Sequence, residues 1–500
     1  MGPFFPRWLQ TQENQYSLDL SNAGISDILP SWFWDLSRES VFIDLSQNQI
    51  RGKLENSRFE FATYPRVNLS WNQLEGPIPS FLSKASFLDL SNNQFSGLTS
   101  FLCAIKASNL TFLDLSSNHV SGELPDCWRH LEKLLFLDLS NNGFSGKIPA
   151  TIGYLVSIRT LKLNNNTFVG GLPSSLEHCR DLRVFDAGEN KLSGSLPDWL
   201  GFRLENLVIL ILRSNRLHGS MPSQLCYLRH IQILDFSMNN ISGTIPKCLK
   251  NLTALAQKGN SNRSITYIYR GERGPGGPIF VNSFDDEASL IWKGTMSKYK
   301  SILGLVRSIH LSSNKLTGEI PSEIGYLVGL VSLNLSSNRL TGQLTPEIGK
   351  LQSLNSLDLS RNQMYGRIPT SFTQIHGLGV LDLSYNNLSG KIPIGTQLQS
   401  FDPSAYAGNP LLCGLPLEKN CSSPEKTGSN EPVVSDQEDK DAVVTRGFYI
   451  SIGLGFAVGF WGVFGTILLN RSCRHTYFNF LNDCSNWLYV KASILRAKCA

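Results

Sequence analysis

Charge is scarce in this 500-residue chain: Asp, Glu, Lys and Arg make up 17% of it, and the net formal charge is only +5. No Lys/Arg-rich block occurs, which excludes the basic stripe of a nucleic-acid binder. Catalytic signatures are missing as well. There is no G-x-S-x-G elbow, no H-E-x-x-H pair, no Walker loop, and no kinase Gly-rich loop with its Lys and catalytic-loop Asp. The ten cysteines include no C-x-x-C pair and no Cys/His cluster of zinc spacing. The chain is therefore not expected to be an enzyme or to hold a metal or cofactor, and most cysteines are expected to pair in an oxidising compartment. A long uncharged apolar run is absent until residue 448.

What the chain does have is one sentence rewritten many times. LDLSSNHVSGELP from Leu113, LDLSNNGFSGKIP from Leu137 and LDLSYNNLSGKIP from Leu381 are typical versions. The first residue of each L-x-L is Leu18, Ile43, Val67, Leu88, Leu113, Leu137, Leu161, Phe185, Leu210, Leu234, Ile309, Leu333, Leu357 and Leu381, fourteen markers in all. One such repeat cannot bury its own apolar face, so the repeats must stack. Alternation in L-x-L sends two side chains into the stack and the middle one to a solvated face, which predicts short parallel strands along a concave wall about 65 Å long. Five residues after thirteen of the fourteen markers stands Asn, as at Asn48, Asn118 and Asn386, suited to bond backbone groups and to tolerate unusual dihedrals, while Ala23 takes its place in the first repeat. Ser/Thr-Gly then supplies a bend and Ile/Leu-Pro ends it. The fold class is an α/β-type repeat, a leucine-rich-repeat solenoid with a single transmembrane helix.

The pattern divides the chain. Ten repeats occupy residues 1–255, an island without the Leu/Asn signature occupies 256–303, four repeats occupy 304–400, and a cap follows over 401–423. The island's RGERGPGGPIF opposes regular structure, which makes a flexible connector one reading and a binding insertion the other. Cys103 and Cys127 lie one repeat apart, as do Cys226 and Cys248, so each pair is expected to staple neighbouring coils. Cys413 and Cys421 are expected to close the cap, with Cys179 left as a buried thiol. Sequons at Asn68, Asn109, Asn165, Asn240, Asn251, Asn262, Asn334, Asn387 and Asn420 fit a glycosylated, extracellular surface.

An acidic stalk follows over 424–447, and residues 448–469 then run uncharged for about 33 Å as a helix, enough to cross a bilayer. Arg471, Arg474, Lys491, Arg496 and Lys498 follow the span, so the positive-inside rule places the repeats outside the cell and the tail, 470–500, in the cytosol. Ser451, Gly455 and Gly459 recur every fourth residue and form a docking face for another helix. Asp19, Asp44, Asp89, Asp114, Asp138, Asp358 and Asp382 recur in one strand slot, which marks a scaffold position rather than the paired carboxylates of a glycosidase. In the seventh to ninth repeats Arg159, Lys162, Arg183, Glu189, Ile211 and Arg213 replace the generic residues, and this strip is the expected ligand-binding surface.

With L-x-L-S-x-N-x-L-S-G-x-I-P repeats, NPLLCGLPL, GFYISIGLGFAVGFWGVFGTILLNRS and YFNFL, nearly the whole chain resembles the plant leucine-rich-repeat receptor-like proteins, in the group that includes the ethylene-inducing xylanase receptor. The resemblance implies a plasma-membrane, single-pass type I receptor of plant defence, binding a microbial protein or peptide and signalling through kinases. It implies recruitment of a short-ectodomain co-receptor kinase by the island, through Lys293 and Tyr299, and by the last repeats. An adaptor receptor kinase would associate through Gly455 and Gly459, and Tyr477 to Phe480 would form an endocytosis signal. Against that family, MGPFFPRWLQTQENQ shows no apolar leader and no paired-Cys cap, so an N-terminally truncated chain is expected. Two other readings use the same architecture: a developmental receptor-like protein, and a non-signalling binder resembling polygalacturonase inhibitors.

Overall fold

The computed structural model describes residues 2–12, 15–54, 59–106, 108–257, 303–395 and 397–421, together with the backbone of four strand segments between 266 and 299. The chain divides into two units, residues 1–422 and 423–500, and every described residue lies in the first. No helix among the described residues is long and apolar enough to cross a membrane. The expected span at 448–469, Ser451, Gly455, Gly459, Tyr477, Phe480, Asn262 and Lys293 lie outside the described residues.

The fourteen markers become the centres of fourteen three-residue strands in one parallel sheet. These are β1 (Ser17–Asp19), β2 (Phe42–Asp44), β3 (Arg66–Asn68), β4 (Phe87–Asp89), β5 (Phe112–Asp114), β6 (Phe136–Asp138), β7 (Thr160–Lys162), β8 (Val184–Asp186), β9 (Ile209–Ile211), β10 (Ile233–Asp235), β11 (Ser308–His310), β12 (Ser332–Asn334), β13 (Ser356–Asp358) and β14 (Val380–Asp382). Marker pairs with marker throughout, for example Leu113 with Leu137 and Leu333 with Leu357. Because side chains alternate along a strand, every marker joins one continuous core and the residues on either side of it form two columns on the concave wall. Short 3-10 helices such as Ala150–Tyr154 and Ser322–Tyr326 return the chain along the outer face, each entered through a proline.

A buried asparagine ladder binds coil to coil. Asn118 donates through Nδ2 to Leu90 O of the preceding repeat (2.9 Å) and to Leu115 O of its own (3.1 Å), and its Oδ1 accepts the Phe95 N–H (3.0 Å). Backbone groups that a three-residue strand cannot satisfy are thereby paired. Left-handed backbone falls on the residue before the ladder Asn, as at Ser117 (φ 56°), and on the Ser/Thr-Gly glycine, as at Gly318 (φ 76°). The ladder asparagine itself needs no unusual dihedral, which corrects the expectation drawn from the sequence. Asn409 extends the ladder into the cap, donating to Leu383 O (3.0 Å) and accepting from Leu388 N (2.9 Å).

The island interrupts the sequence and not the sheet, since β10 pairs directly with β11 through Leu234 and Ile309. Nor is it irregular throughout. Thr266–Arg270 pairs antiparallel with Val281–Asp285, and Ala288–Trp292 with Thr295–Tyr299. The Gly/Pro-rich stretch between 270 and 281 connects two strands, and the flexible-connector reading overlooked the strand-forming segments on either side of it.

Candidate recognition surface

Each concave strand presents one side chain before its marker and one after it. From β4 to β6 the first column is aromatic. Phe87, Phe112 and Phe136 stack with centroids 4.0 and 4.3 Å apart and planes within 10°. The guanidinium of Arg66 lies over Phe87 (4.3 Å) and the ammonium of Lys162 over Phe136 (5.4 Å), so a cation closes each end of the described stack. In the second column the Asp carboxylate accepts the backbone N–H two residues on: Asp89 from Ser91 (3.0 Å), Asp114 from Ser116 (2.9 Å) and Asp138 from Ser140 (2.9 Å). This local bond explains why one slot carries Asp in repeat after repeat.

From β8 to β10 the wall changes character. Val184, Ile209, Ile211 and Ile233 form a buried apolar cluster, separate from the main core, with Leu303 and Val306, and Tyr299 packs half-buried against it. Leu303 and Val306, just before β11, therefore lie on the wall. Beside the cluster runs an ionic row. Arg213, 3% exposed, reaches Glu189 Oε1 at 2.8 Å and stands 3.9 Å from Asp235 Oδ2, whose carboxylate is fully buried. His310 Nδ1 is 4.0 Å from the same oxygen, while its Nε2 lies 3.1 Å from Ser332 Oγ.

Asp, His and Ser in that order invite comparison with a hydrolytic triad, and the surroundings argue for a structural role. Ser332 is 3% exposed and its N–H donates to Arg307 O (3.1 Å), so the backbone beside the hydroxyl offers no donor for an oxyanion. Burial holds His310 below the usual imidazole range, with Asp235 acting against that and Arg213 adding to it.

The expected ligand strip is largely interior. Lys162 is buried and stands 3.8 Å from Asp138 Oδ2, Arg213 is held as described, and Ile211 lies under Leu303 and Val306. Arg159 and Glu189 are half-buried, and Arg183 is exposed. The correction has a simple cause. Lys162 is answered by Asp138 in the same slot of the preceding repeat and Arg213 by Glu189 and Asp235 from the repeats on either side, and apolar residues at outward positions, Val184, Ile209 and Ile233, were the overlooked sign of a covered wall. A second overlooked series lies on the rim. The residue before the ladder Asn is usually small or amide-bearing, yet Trp71 (61% exposed), Met238 and Tyr385 stand there, all left-handed, with Arg361 over the Tyr385 ring (4.6 Å). A groove along the flank of the later repeats is lined by Ile245, Lys247, Glu319, Ile320, Tyr365 and Arg367 among others, none of them singled out in the sequence.

Disulfides join Cys103 to Cys127, Cys226 to Cys248 and Cys413 to Cys421, with Cα atoms 5.1, 5.7 and 5.1 Å apart. Cys179 is a buried free thiol, its pKa pushed up to about 12 by burial. Among the sequons, Asn165, Asn240, Asn251, Asn387 and Asn420 are exposed, and Asn109 is half-buried beside Lys133 Nζ (2.7 Å). Asn68 and Asn334 instead occupy the Asp slot of the wall, their Oδ1 atoms accepting from Ser70 N (3.1 Å) and Ser336 N (3.0 Å).

Comparison with known proteins agrees with this architecture. Leucine-rich-repeat family models match residues 109–131, 133–155, 157–179, 230–252, 305–327 and 328–388. Receptor-like protein EIX2 of Solanum lycopersicum is 50% identical over 500 residues, covering 100% of this chain and 48% of the relative. The chain belongs to the plant leucine-rich-repeat receptor-like proteins. Receptor-like protein EIX1 from the same plant is 49% identical, covering 98% of this chain and 47% of the relative, so the chain spans about half the length of these curated relatives. Among solved structures, the plant peptide hormone receptor RGFR1 in complex with RGF2 matches with TM-score 0.66 and 26% identity over 82% of this chain and 57% of that one. The Arabidopsis receptor kinase HAESA, in complex with the peptide hormone IDA and the co-receptor SERK1, matches with TM-score 0.60 and 29% identity over 83% and 65%.

Proposed function

We propose that this receptor-like protein is a cell-surface receptor of plant defence that binds an extracellular protein or peptide and signals through associated kinases. The observation that carries the reading is the identity of 50% to a receptor-like protein across all 500 residues, the short C-terminal tail included. RGFR1 and HAESA, similar in fold, are described with peptide hormones bound and HAESA with the co-receptor SERK1, which supports a ligand and a co-receptor as partners.

In this reading residues 448–469 anchor the chain in the plasma membrane with the repeats outside. An adaptor receptor kinase docks on Ser451, Gly455 and Gly459. A short-ectodomain co-receptor kinase meets the island at Lys293 and Tyr299 together with the last repeats, and Tyr477 and Phe480 direct endocytosis. Ligand contact falls to surfaces the fold leaves accessible, Arg183 and the rim with Trp71 and Met238, while Lys162, Ile211 and Arg213 hold that surface from beneath. Recovery of kinases with the surface-expressed chain, with and without Gly455 and Gly459 changed to Leu, tests the anchoring arm. Loss of kinase with the double variant is the expected result, and undiminished recovery refutes it.

A further inference from the structure

The second column of the wall places Asp44, Asn68, Asp89, Asp114 and Asp138 on five successive strands, each the register partner of the next. Strand spacing sets neighbouring members about 4.8 Å apart. One of the five is an amide, and it shows how neighbours in this column bind each other. Asn68 Oδ1 accepts from Ser70 N–H and hydroxyl (3.1 and 2.7 Å), as Asp89 Oδ1 does from Ser91 (3.0 and 2.7 Å). Its Nδ2 then donates across the strands to Asp44 Oδ2 at 3.0 Å. Asp89, Asp114 and Asp138 have no such donor as carboxylates. A proton on any one of them supplies it.

We propose that Asp89, Asp114 and Asp138 share protons along the concave wall through O–H···O bonds equivalent to the Asn68–Asp44 bond, so that the solenoid gains stability as its surroundings acidify. Asp114 is the centre of the device. The charged groups that face it among the described residues are Asp89 from β4 and Asp138 from β6, while Ser116 N–H on its own turn binds Oδ1. Beyond those neighbours stand Asp44 on the Asp89 side and Lys162, 3.8 Å from Asp138 Oδ2, on the other. Burial first, then Asp138 and Asp89, hold the Asp114 carboxyl well above the usual carboxylate range, and burial raises Asp89 in the same sense. A carboxyl raised on folding stabilises the fold fully at pH below its unfolded value, and that contribution is lost as pH rises through the folded value.

The substitution that reads this is Asp114→Asn, because Asn68 and Asn334 already fill the same slot. In thermal unfolding of the full chain in detergent, D114N is expected to melt about 2 °C above the unsubstituted chain at pH 8, where an amide replaces an unprotonated repelling carboxylate, and level with it at pH 5. The difference between the two proteins is the readout, since His310 changes the slope of both. A D114N midpoint equal to or below that of the unsubstituted chain at pH 8 overturns the proposal. A second measurement does not depend on that variant. In the D186N chain, which lacks the other raised carboxyl of the wall, the infrared band of a protonated carboxylic acid is expected to persist at pH 6.5, where ordinary aspartates are ionised. Its absence there also overturns the proposal.

Discussion

From β4 to β6 the wall pairs stacked phenylalanines with a row of carboxylates; from β8 to β10, on the same backbone and at the same spacing, it pairs aliphatic side chains with alternating charges. The difference shows what a repeat leaves open. Marker, ladder Asn and bend glycine fix where each outward Cβ points, and the identity of the outward pair decides what a stretch of wall becomes. Aliphatic residues in register make a seat, here filled by Leu303 and Val306, and the charges beside it must be paired because the seat excludes water. Asp89 and Asp114, in register with no cation between them among the described residues, store protons instead.

The largest expected effect tests whether the stretch from β8 to β10 is interior. Arg213→Ala leaves the fully buried Asp235 without its cation, a loss of about 3–5 kcal/mol in denaturant unfolding. The Glu189 arm adds little, because that carboxylate is partly exposed. A loss below about 1 kcal/mol would return Arg213 to the surface, as the sequence had suggested. Ile211→Ala is expected to cost about 2–5 kcal/mol by the same measurement, the range for a buried aliphatic side chain, against almost nothing for an accessible ligand contact.

Acid separates the two kinds of charge further. Asp186 on β8 is buried, and burial pushes its pKa up to about 7 despite Gly188 N–H, Arg213 and Lys162. Its contribution is present in acid and lost as pH rises through about 7, so Asp186→Asn is expected to flatten the fall in melting temperature between pH 6 and 8.5. His310 acts with the opposite sign. Its pKa is lowered by burial, so stability is lost as pH falls through the ordinary imidazole range, and His310→Asn is expected to remove that acid-side loss. Parallel slopes for the two variants would break the contrast.

The elements that repeat were legible in the sequence, and those that depend on distant packing were not. All fourteen markers sit at strand centres and the one-repeat cysteine spacings coincide with bonded pairs, because periodic contacts are local contacts one coil away. Asn409 was missed although it falls 23 residues after Asn386, because the coil around it carries Tyr406 and Gly408 where the repeat carries Leu and Ser. Lys162 and Arg213 read as a basic strip because a charge in one repeat says nothing of its partner until the register sets Asp138 and Asp235 alongside. Ile211 was legible as outward-facing but not as covered, since what covers it enters nearly a hundred residues later.

Trp71 carries the smallest expected effect and the clearest distinction between wall and rim. Thirteen other non-glycine residues share its left-handed slot, eight of them Asn or Ser, whose short polar side chains suit that backbone. Trp71 has the same φ of 56° and remains 61% exposed, so it bears the conformational cost without a matching gain from burial. Trp71→Asn should therefore raise stability by about 0.5–1 kcal/mol in denaturant unfolding, where almost any substitution on the covered wall lowers it. A loss on this substitution would mean that the indole packs on the solenoid after all, and the rim would then be more wall rather than a surface kept for a partner.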